Sequence, residues 1–256
     1  MTGASGVLGQ AVVPRLEQAG HEVRGTSRRP RPGWVKADLA TGEGLAEAVT
    51  GMDAVVHLAS ATTRYNKAGE VDVAGTRRLA AAAERAGVGH FVYISIVGID
   101  RIPISYYRAK LAAEKVLQAG PVPWSILRAT QFPQLVDERF LPLASRLGVL
   151  VADPGIAVQL VDPRDVADRI AALLAAGPSR RVENLGGPAV QTSEEIVRSW
   201  LRATGKRRPV LSLRLPGKTA RAMRGGLLTT PDQPTGTRTW QGYLAERYGP
   251  VRDSQA

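Results

Sequence analysis

Two features of this 256-residue chain predict an α/β protein built on a doubly wound parallel sheet. Strand-like apolar runs alternate with helix-length amphipathic segments through the first two thirds, and those runs are continuously apolar rather than apolar at every second residue. Strands that alternate with helices of a dozen residues or more form βαβ units, and a strand apolar on both sides belongs in a sheet covered on both faces.

Taken in order, Val7–Gly20 is amphipathic and stops at a glycine, which tolerates the left-handed turn at a helix end. Glu22–Ser27 and Trp34–Ala37 read as short strands, and Asp53–Ala59 (DAVVHLA) as a buried one. Glu70–Gly87 is an alanine-rich helix, followed by the strand His90–Ile96 (HFVYISI). The spacing predicts a helix over Ser105–Ala119 with Leu111, Ala112, the Lys115 stem and Val116 on its apolar face, then a strand over Pro123–Arg128. After Gln131 the pattern loosens into a helix over Phe132–Leu147 and short strands near Leu150 and Val158. A helix over Asp162–Ala176 opens with Asp and Pro, so Asp162, Arg164 and Asp165 cap and charge its start. Ser193–Thr204 is helical, with Glu194 and Glu195 in its first turn behind Thr192. Gly225–Gly236, rich in Gly, Thr and Pro, reads as loop.

Composition narrows the chemistry. With 44% hydrophobic and 22% charged residues the chain is neither disordered nor collagen-like. It has no cysteine, which excludes disulfides, a thiol nucleophile and thiolate metal sites. Its three histidines fall one per segment, so no histidine-rich metal site is expected: His57 belongs to a core strand, while His21 and His90 read as surface residues. No paired-carboxylate or Ser–His–Asp pattern supports a hydrolase. No apolar run reaches the roughly 18 residues of a membrane helix, and no signal pattern opens the chain, so a cytoplasmic protein without a membrane partner is expected. Of the net charge of +11, residues 201–256 carry +8, from 11 Lys and Arg against 3 acids. Without interleaved aromatic residues this reads as solvated surface rather than a nucleic-acid site.

The opening TGASGVLG places Gly3, Gly6 and Gly9 around Ala4, Ser5, Val7 and Leu8. Gly3 permits a tight turn, Gly6 lets the backbone approach a pyrophosphate, and Gly9 lets the following helix pack closely on the sheet. The start of that helix aims N–H groups and the positive dipole end at the phosphates. The spacing G-x-x-G-x-x-G opening a helix, with an α/β pattern behind it, indicates a Rossmann-type dinucleotide site. A central strand of about five apolar residues should precede such a loop. The chain begins at Met1-Thr2, so that first strand is missing and an upstream segment rich in Val, Ile or Leu is expected. The second strand runs into Arg28-Arg29 with no acid to accept from a ribose 2′-hydroxyl, and two guanidinium groups suit a 2′-phosphate: NADP (NADPH) is expected over NAD. Asp38 and Leu39, just after the third strand, are placed to accept from the adenine amino group and pack its ring, with helix capping as the alternative for Asp38.

The segments TGASGVLG (2–9), TSRR (26–29), ADL (37–39), VVHLAS (55–60), VYISIVGID (92–100), YYRAKLAAE (106–114), WSILRATQF (124–132) and VDPRDVA (161–167) resemble, as an ordered set over residues 2–190, the short-chain dehydrogenase/reductase superfamily, in its atypical NmrA-like NAD(P)H-binding branch. The resemblance implies a cofactor-binding core over residues 1–130, and a small C-terminal α/β substrate lobe over 131–256 interleaved with the last core strands in one compact unit. It places Leu58, Ala59 and Ser60 on the adenosine and ribose side of the cofactor. Ser95, Ile96 and Ala129–Phe132, with Ala129 and Thr130 as cofactor contacts, flank the nicotinamide. It also implies a catalytic set of Tyr106, Lys110 and Ser95, with Lys110 in addition binding the nicotinamide ribose of the cofactor. An i,i+4 pair shares a helix face, a nearby ammonium lowers a phenol pKa, and a serine hydroxyl holds a carbonyl oxygen. Tyr107, at i,i+3 from Lys110, is the alternative tyrosine. The implied function is hydride transfer between NADP(H) and a small carbonyl, alcohol or quinone-like substrate. The second reading is a non-catalytic NADPH sensor acting on a protein partner, since members of this branch depart from the catalytic set. A nucleotide-dependent epimerase or dehydratase is the weaker third. The substrate itself is not encoded legibly; the region after residue 131 suggests only an apolar lining.

Overall fold

The computed structural model describes residues 1–61, 69–146, 148–233 and 236–249. Leu147, the end of one expected helix, and residues 234–235 of the expected Gly225–Gly236 loop lie outside the described residues. Backbone contacts divide the chain into two units, one of Met1–Ala129 with Val166–Asn184, the other of Thr130–Asp165 with Leu185–Ala256.

The first unit is organised by a sheet. Its strands are β1 (Thr26–Ser27), β2 (Val35–Lys36), β3 (Ala54–His57), β4 (His90–Ile96), β5 (Trp124–Ala129) and β8 (Val182–Leu185). β1 pairs with β2, and β3, β4, β5 and β8 lie side by side in that order, with β3–β4 and β4–β5 parallel. Met1 and Thr2 join the two sets. The Thr26 N–H donates to the Met1 carbonyl at 2.9 Å on one side, while on the other the Thr2 N–H donates to Val56 O at 3.0 Å and the Thr2 carbonyl accepts from Leu58 N at 3.3 Å. The resulting strand order, with the first position between β1 and β3, is that of a dinucleotide-binding sheet, and its switch point falls at the loop after Thr2 and the end of β3. Helices α1 (Val7–Gln18), α2 (Leu45–Val49), α3 (Gly75–Arg85), α4 (Ser105–Ala119) and α7 (Pro163–Ala176) belong to this unit, apart from the first turn of α7. Leu79, Phe91, Leu117 and Ile126 are buried together in its core, each contributing about 1.5–3 kcal/mol by leaving water.

Several expectations need correction. Only Thr26–Ser27 of the expected Glu22–Ser27 strand is laddered, because its two neighbours offer it only Met1 and the two residues of β2. The buried face of α4 is Tyr106, Lys110, Ala113, Glu114 and Leu117, with Tyr107 beside them; Leu111, Ala112 and Val116 are half-buried and Lys115 is exposed. Hydropathy did not put Lys110 or Glu114 on the apolar face, but both have partners there. Lys110 Nζ donates to Ile94 O at 2.7 Å, and Glu114 receives Arg128 of β5 bidentately at 2.9 and 2.7 Å. His90 is buried, not on the surface, with Nε2 2.9 Å from Ser125 Oγ on the neighbouring strand, and burial lowers its pKa.

Two expected helices are interrupted by π-helical turns, Gly69–Ala74 ahead of α3 and Val136–Phe140 between α5 (Pro133–Leu135) and α6 (Leu141–Ser145). Each turn carries a buried aspartate, Asp72 and Asp137.

The second unit holds the parallel pair β6 (Leu150–Ala152) and β10 (Val210–Ser212), and the antiparallel pair β7 (Ala157–Gln159) and β9 (Val190–Thr192). Its helices include α8 (Ser193–Thr204), α9 (Lys218–Arg224) and α10 (Trp240–Tyr248). Thr192 and Glu195 close a full capping box on α8, as its first turn led one to expect. Asp137 is the polar hub of this unit, accepting from Trp200 Nε1 at 2.7 Å, Tyr243 Oη at 2.7 Å and Tyr248 Oη at 2.6 Å. Asp165 does more than charge a helix start: it accepts from the Thr237 and Arg238 backbone N–H groups at 3.0 and 3.1 Å.

Candidate functional site

The glycine loop has the geometry of a phosphate cradle. Gly3 lies at φ +69°, and a Cβ there would come within 2.6 Å of Ala59 N, so only glycine lets the loop lie against the end of β3. A Cβ on Gly9 would lie 2.3 Å from Gly3 O, which enforces close packing of α1 beneath the loop. Gly6 caps α1, Ser5, Gly6 and Val7 are exposed, and Ala4 and Leu8 are buried as anchors. Gln10 N donates to Gly6 O at 3.0 Å, so the N–H groups of residues 7–9 precede the helical ladder. No acid occupies the first turn of α1, leaving its positive end for an anion. These residues fit a dinucleotide diphosphate.

A buried hydrogen-bond chain locks this edge in place. Thr2 Oγ1 lies 2.6 Å from His57 Nδ1, and His57 Nε2 lies 3.0 Å from Thr76 Oγ1. The Thr76 hydroxyl gives its proton to Asp72 O at 2.5 Å, so His57 must donate through Nε2 and accept at Nδ1 from Thr2. Ala59 N completes the chain by donating to Thr2 Oγ1 at 3.3 Å. Burial, and then the Lys110 charge, lower the His57 pKa to about 3, which keeps this tautomer neutral.

At the far end of the site, Tyr106 Oη lies 2.6 Å from Ser60 Oγ, and Ser60 donates to the Asp72 carboxylate, whose other oxygen accepts from Ala61 N at 3.0 Å. Lys110 sits one turn beyond Tyr106, its Nζ 4.1 Å over the Tyr93 ring. Burial lowers the Lys110 pKa to about 8, opposed by Asp72 and Glu114, which leaves it cationic at neutral pH. Its acceptor, Ile94 O, directly precedes Ser95, and Ser95 Oγ is buried with no hydrogen-bond partner among the described residues. A buried hydroxyl left unpaired is costly unless a ligand satisfies it.

The remaining expected residues are distributed as follows. Arg28 and Arg29 are exposed immediately after β1. Asp38 is half-buried, and its Oδ1 accepts from Ala40 N at 2.8 Å in a local turn. Leu39 is buried in the core against Gly75. Leu58 and Ala59 line the end of β3 behind Gly3, and Ala129 ends β5. Thr130 begins the second unit, with a buried hydroxyl that has no hydrogen-bond partner among the described residues. Tyr107 is buried with its ring 6.2 Å from that of Tyr106. Sequence reasoning missed Thr2, Asp72 and Thr76. An acid and a threonine four apart in an otherwise apolar helical stretch were the available signal for the last two.

The fold and the glycine loop define a dinucleotide-binding protein of the Rossmann type. The chain belongs to the NAD(P)H-binding family, whose model it matches over residues 3–176, and the resemblance to atypical, NmrA-like short-chain dehydrogenases/reductases is borne out. It is 31% identical over 218 residues to a (4-alkanoyl-5-oxo-2,5-dihydrofuran-3-yl)methyl phosphate reductase of Streptomyces griseus, covering 80% of this chain and 73% of that protein. It is 27% identical over 208 residues to the photosystem II assembly factor Ycf39 of Trieres chinensis, covering 76% of this chain and 65% of that protein. Its fold matches an NADPH-dependent quinone oxidoreductase of Escherichia coli complexed with NADPH, with a TM-score of 0.79 at 19% identity over 96% of this chain and 98% of the other.

Proposed function

We propose that this protein is an NADPH-dependent oxidoreductase that reduces a small carbonyl or quinone-like substrate. The observation that carries the reading is the buried, unpartnered Ser95 hydroxyl next to the Lys110 acceptor, on the strand facing Tyr106 and Lys110 of α4. When bound, the nicotinamide supplies a hydride to the carbonyl carbon. Ser95 Oγ donates to the carbonyl oxygen, Tyr106 Oη delivers the proton that completes the alcohol, and the Lys110 ammonium favours the phenolate left behind. Exposed Arg28 and Arg29, with no acid at the end of β1, support NADPH over NADH. The Streptomyces relative and the Escherichia coli neighbour, a reductase and an oxidoreductase by name, agree with this class.

The test is NADPH oxidation against a panel of quinones, aldehydes and ketones. Tyr106→Phe should leave NADPH affinity unchanged by calorimetry and lower kcat by about 10²-fold or more. Arg28→Ala with Arg29→Ala should weaken NADPH at least tenfold and leave NADH unaffected.

One observation favours a second reading, a non-catalytic NADPH sensor. Tyr106 is already engaged by Ser60 and Lys110 by a backbone carbonyl, both inside the core. Binding of NADPH without turnover on any of the panel, unchanged in Tyr106→Phe, would establish that reading instead.

A further inference from the structure

We propose that the outer face of the β6–β10 pair docks on an anionic lipid bilayer. The register carries the argument. In-register residues of paired strands point to the same face, and successive residues alternate. Leu150 and Ala152, opposite Val210 and Ser212, are turned into the core of the second unit. Val151 and Leu211 are partners on the other face and are 43% and 46% exposed. Beyond the end of β10, Leu213 and Leu215 are 52% and 39% exposed. A two-stranded sheet with one solvated face ordinarily carries polar residues there, and here both positions are large and apolar, with two further exposed leucines in the segment that follows.

Charge identifies the occupant. Residues 205–231 contain seven Lys and Arg and no acid. Lys206, Arg207, Arg208, Arg214, Lys218 and Arg221 are all exposed, with Arg214 standing between Leu213 and Leu215. From sequence alone these cations read as solvated surface; along the chain they flank the exposed Leu211, Leu213 and Leu215 on both sides. A second copy of the chain would oppose them with six like charges. A nucleic acid matches the charge but offers no apolar medium for three leucines and a valine. An anionic bilayer offers both, taking the apolar side chains at the acyl boundary and the cations among its headgroups. The association is peripheral: among the described residues no helix is long and apolar enough to cross a membrane. It does not depend on whether the protein turns over a substrate.

Flotation of the full-length chain with vesicles tests this. Recovery with phosphatidylcholine vesicles containing about one third phosphatidylglycerol should be high in dilute salt. It should be lost with pure phosphatidylcholine and at high salt, where screening shortens the reach of the cations. Each removal among Arg207→Gln, Arg208→Gln and Arg214→Gln should lower partitioning about fivefold. Leu211→Ser with Leu213→Ser, both solvent-facing and so expected to fold (checked by circular dichroism), should lower it at least tenfold. Equal recovery on neutral and anionic vesicles overturns the proposal, as does anionic binding indifferent to the leucine changes. Binding to a DNA duplex but not to vesicles, measured by anisotropy, overturns it in favour of a nucleic-acid surface.

Discussion

Lowering the pH from 7.5 to 4.5 should cost this fold about 2.7 kcal/mol through His57 alone. The imidazole titrates near 6.5 when the chain is unfolded and near 3 when it is folded, chiefly because it is buried. The unfolded chain takes up the proton as the pH falls through 6.5, whereas the folded chain refuses it until about 3. The His57 contribution is therefore fully favourable above 6.5 and shrinks as the pH falls through that window. At pH 4.5 the loss is set almost entirely by the unfolded value, so it holds for any folded pKa below about 4. Structure supplies the reason for the refusal: Nδ1 is the acceptor for the Thr2 hydroxyl, and the Thr76 proton is already committed to Asp72 O, so a second ring proton has nowhere to go. The assay is urea unfolding of wild type and His57→Gln at both pH values. Gln keeps a donor and an acceptor but does not titrate, and carboxylates that also titrate in this range cancel in the comparison. Wild type should lose about 2.7 kcal/mol more than the variant. Equal losses would refute the assignment of a neutral, locked imidazole.

Gly9→Ala should lower stability by about 2 kcal/mol and weaken NADPH at least tenfold, because its Cβ meets backbone at 2.3–2.5 Å and α1 must lift from the loop; a melting temperature and Kd near wild type would contradict this. Lys110→Met should abolish turnover yet raise stability at pH 7 by about 1–2 kcal/mol, since burial holds the ammonium pKa near 8. The sign can be checked separately. Wild type should gain stability as the pH rises from 8 to 10.5, where only its unfolded chain keeps the proton, and the variant should lack that gain. Asp137→Asn should cost about 2–3 kcal/mol in chemical denaturation, because one of the donors from Trp200, Tyr243 and Tyr248 then faces an amide N–H₂.

Local signals in the chain were enough for the alternation of strands and helices, the glycine loop, and the exact limits of β4, α4 and α8. Each rests on periodicity, capping or glycine spacing, which are properties of neighbours in sequence. Only the tertiary structure decided that α4 turns Lys110 and Glu114 inward, because Ile94 O and Arg128 come from strands that the helix meets only after folding. The same holds for His90, buried against Ser125, and for the chain from Thr2 through His57 and Thr76 to Asp72, whose members lie up to 74 residues apart. A buried polar group is stable only with its partner, and hydropathy read along a chain contains no partners. That is why the backbone of the cofactor loop was legible in advance, while the polar framework holding it was not.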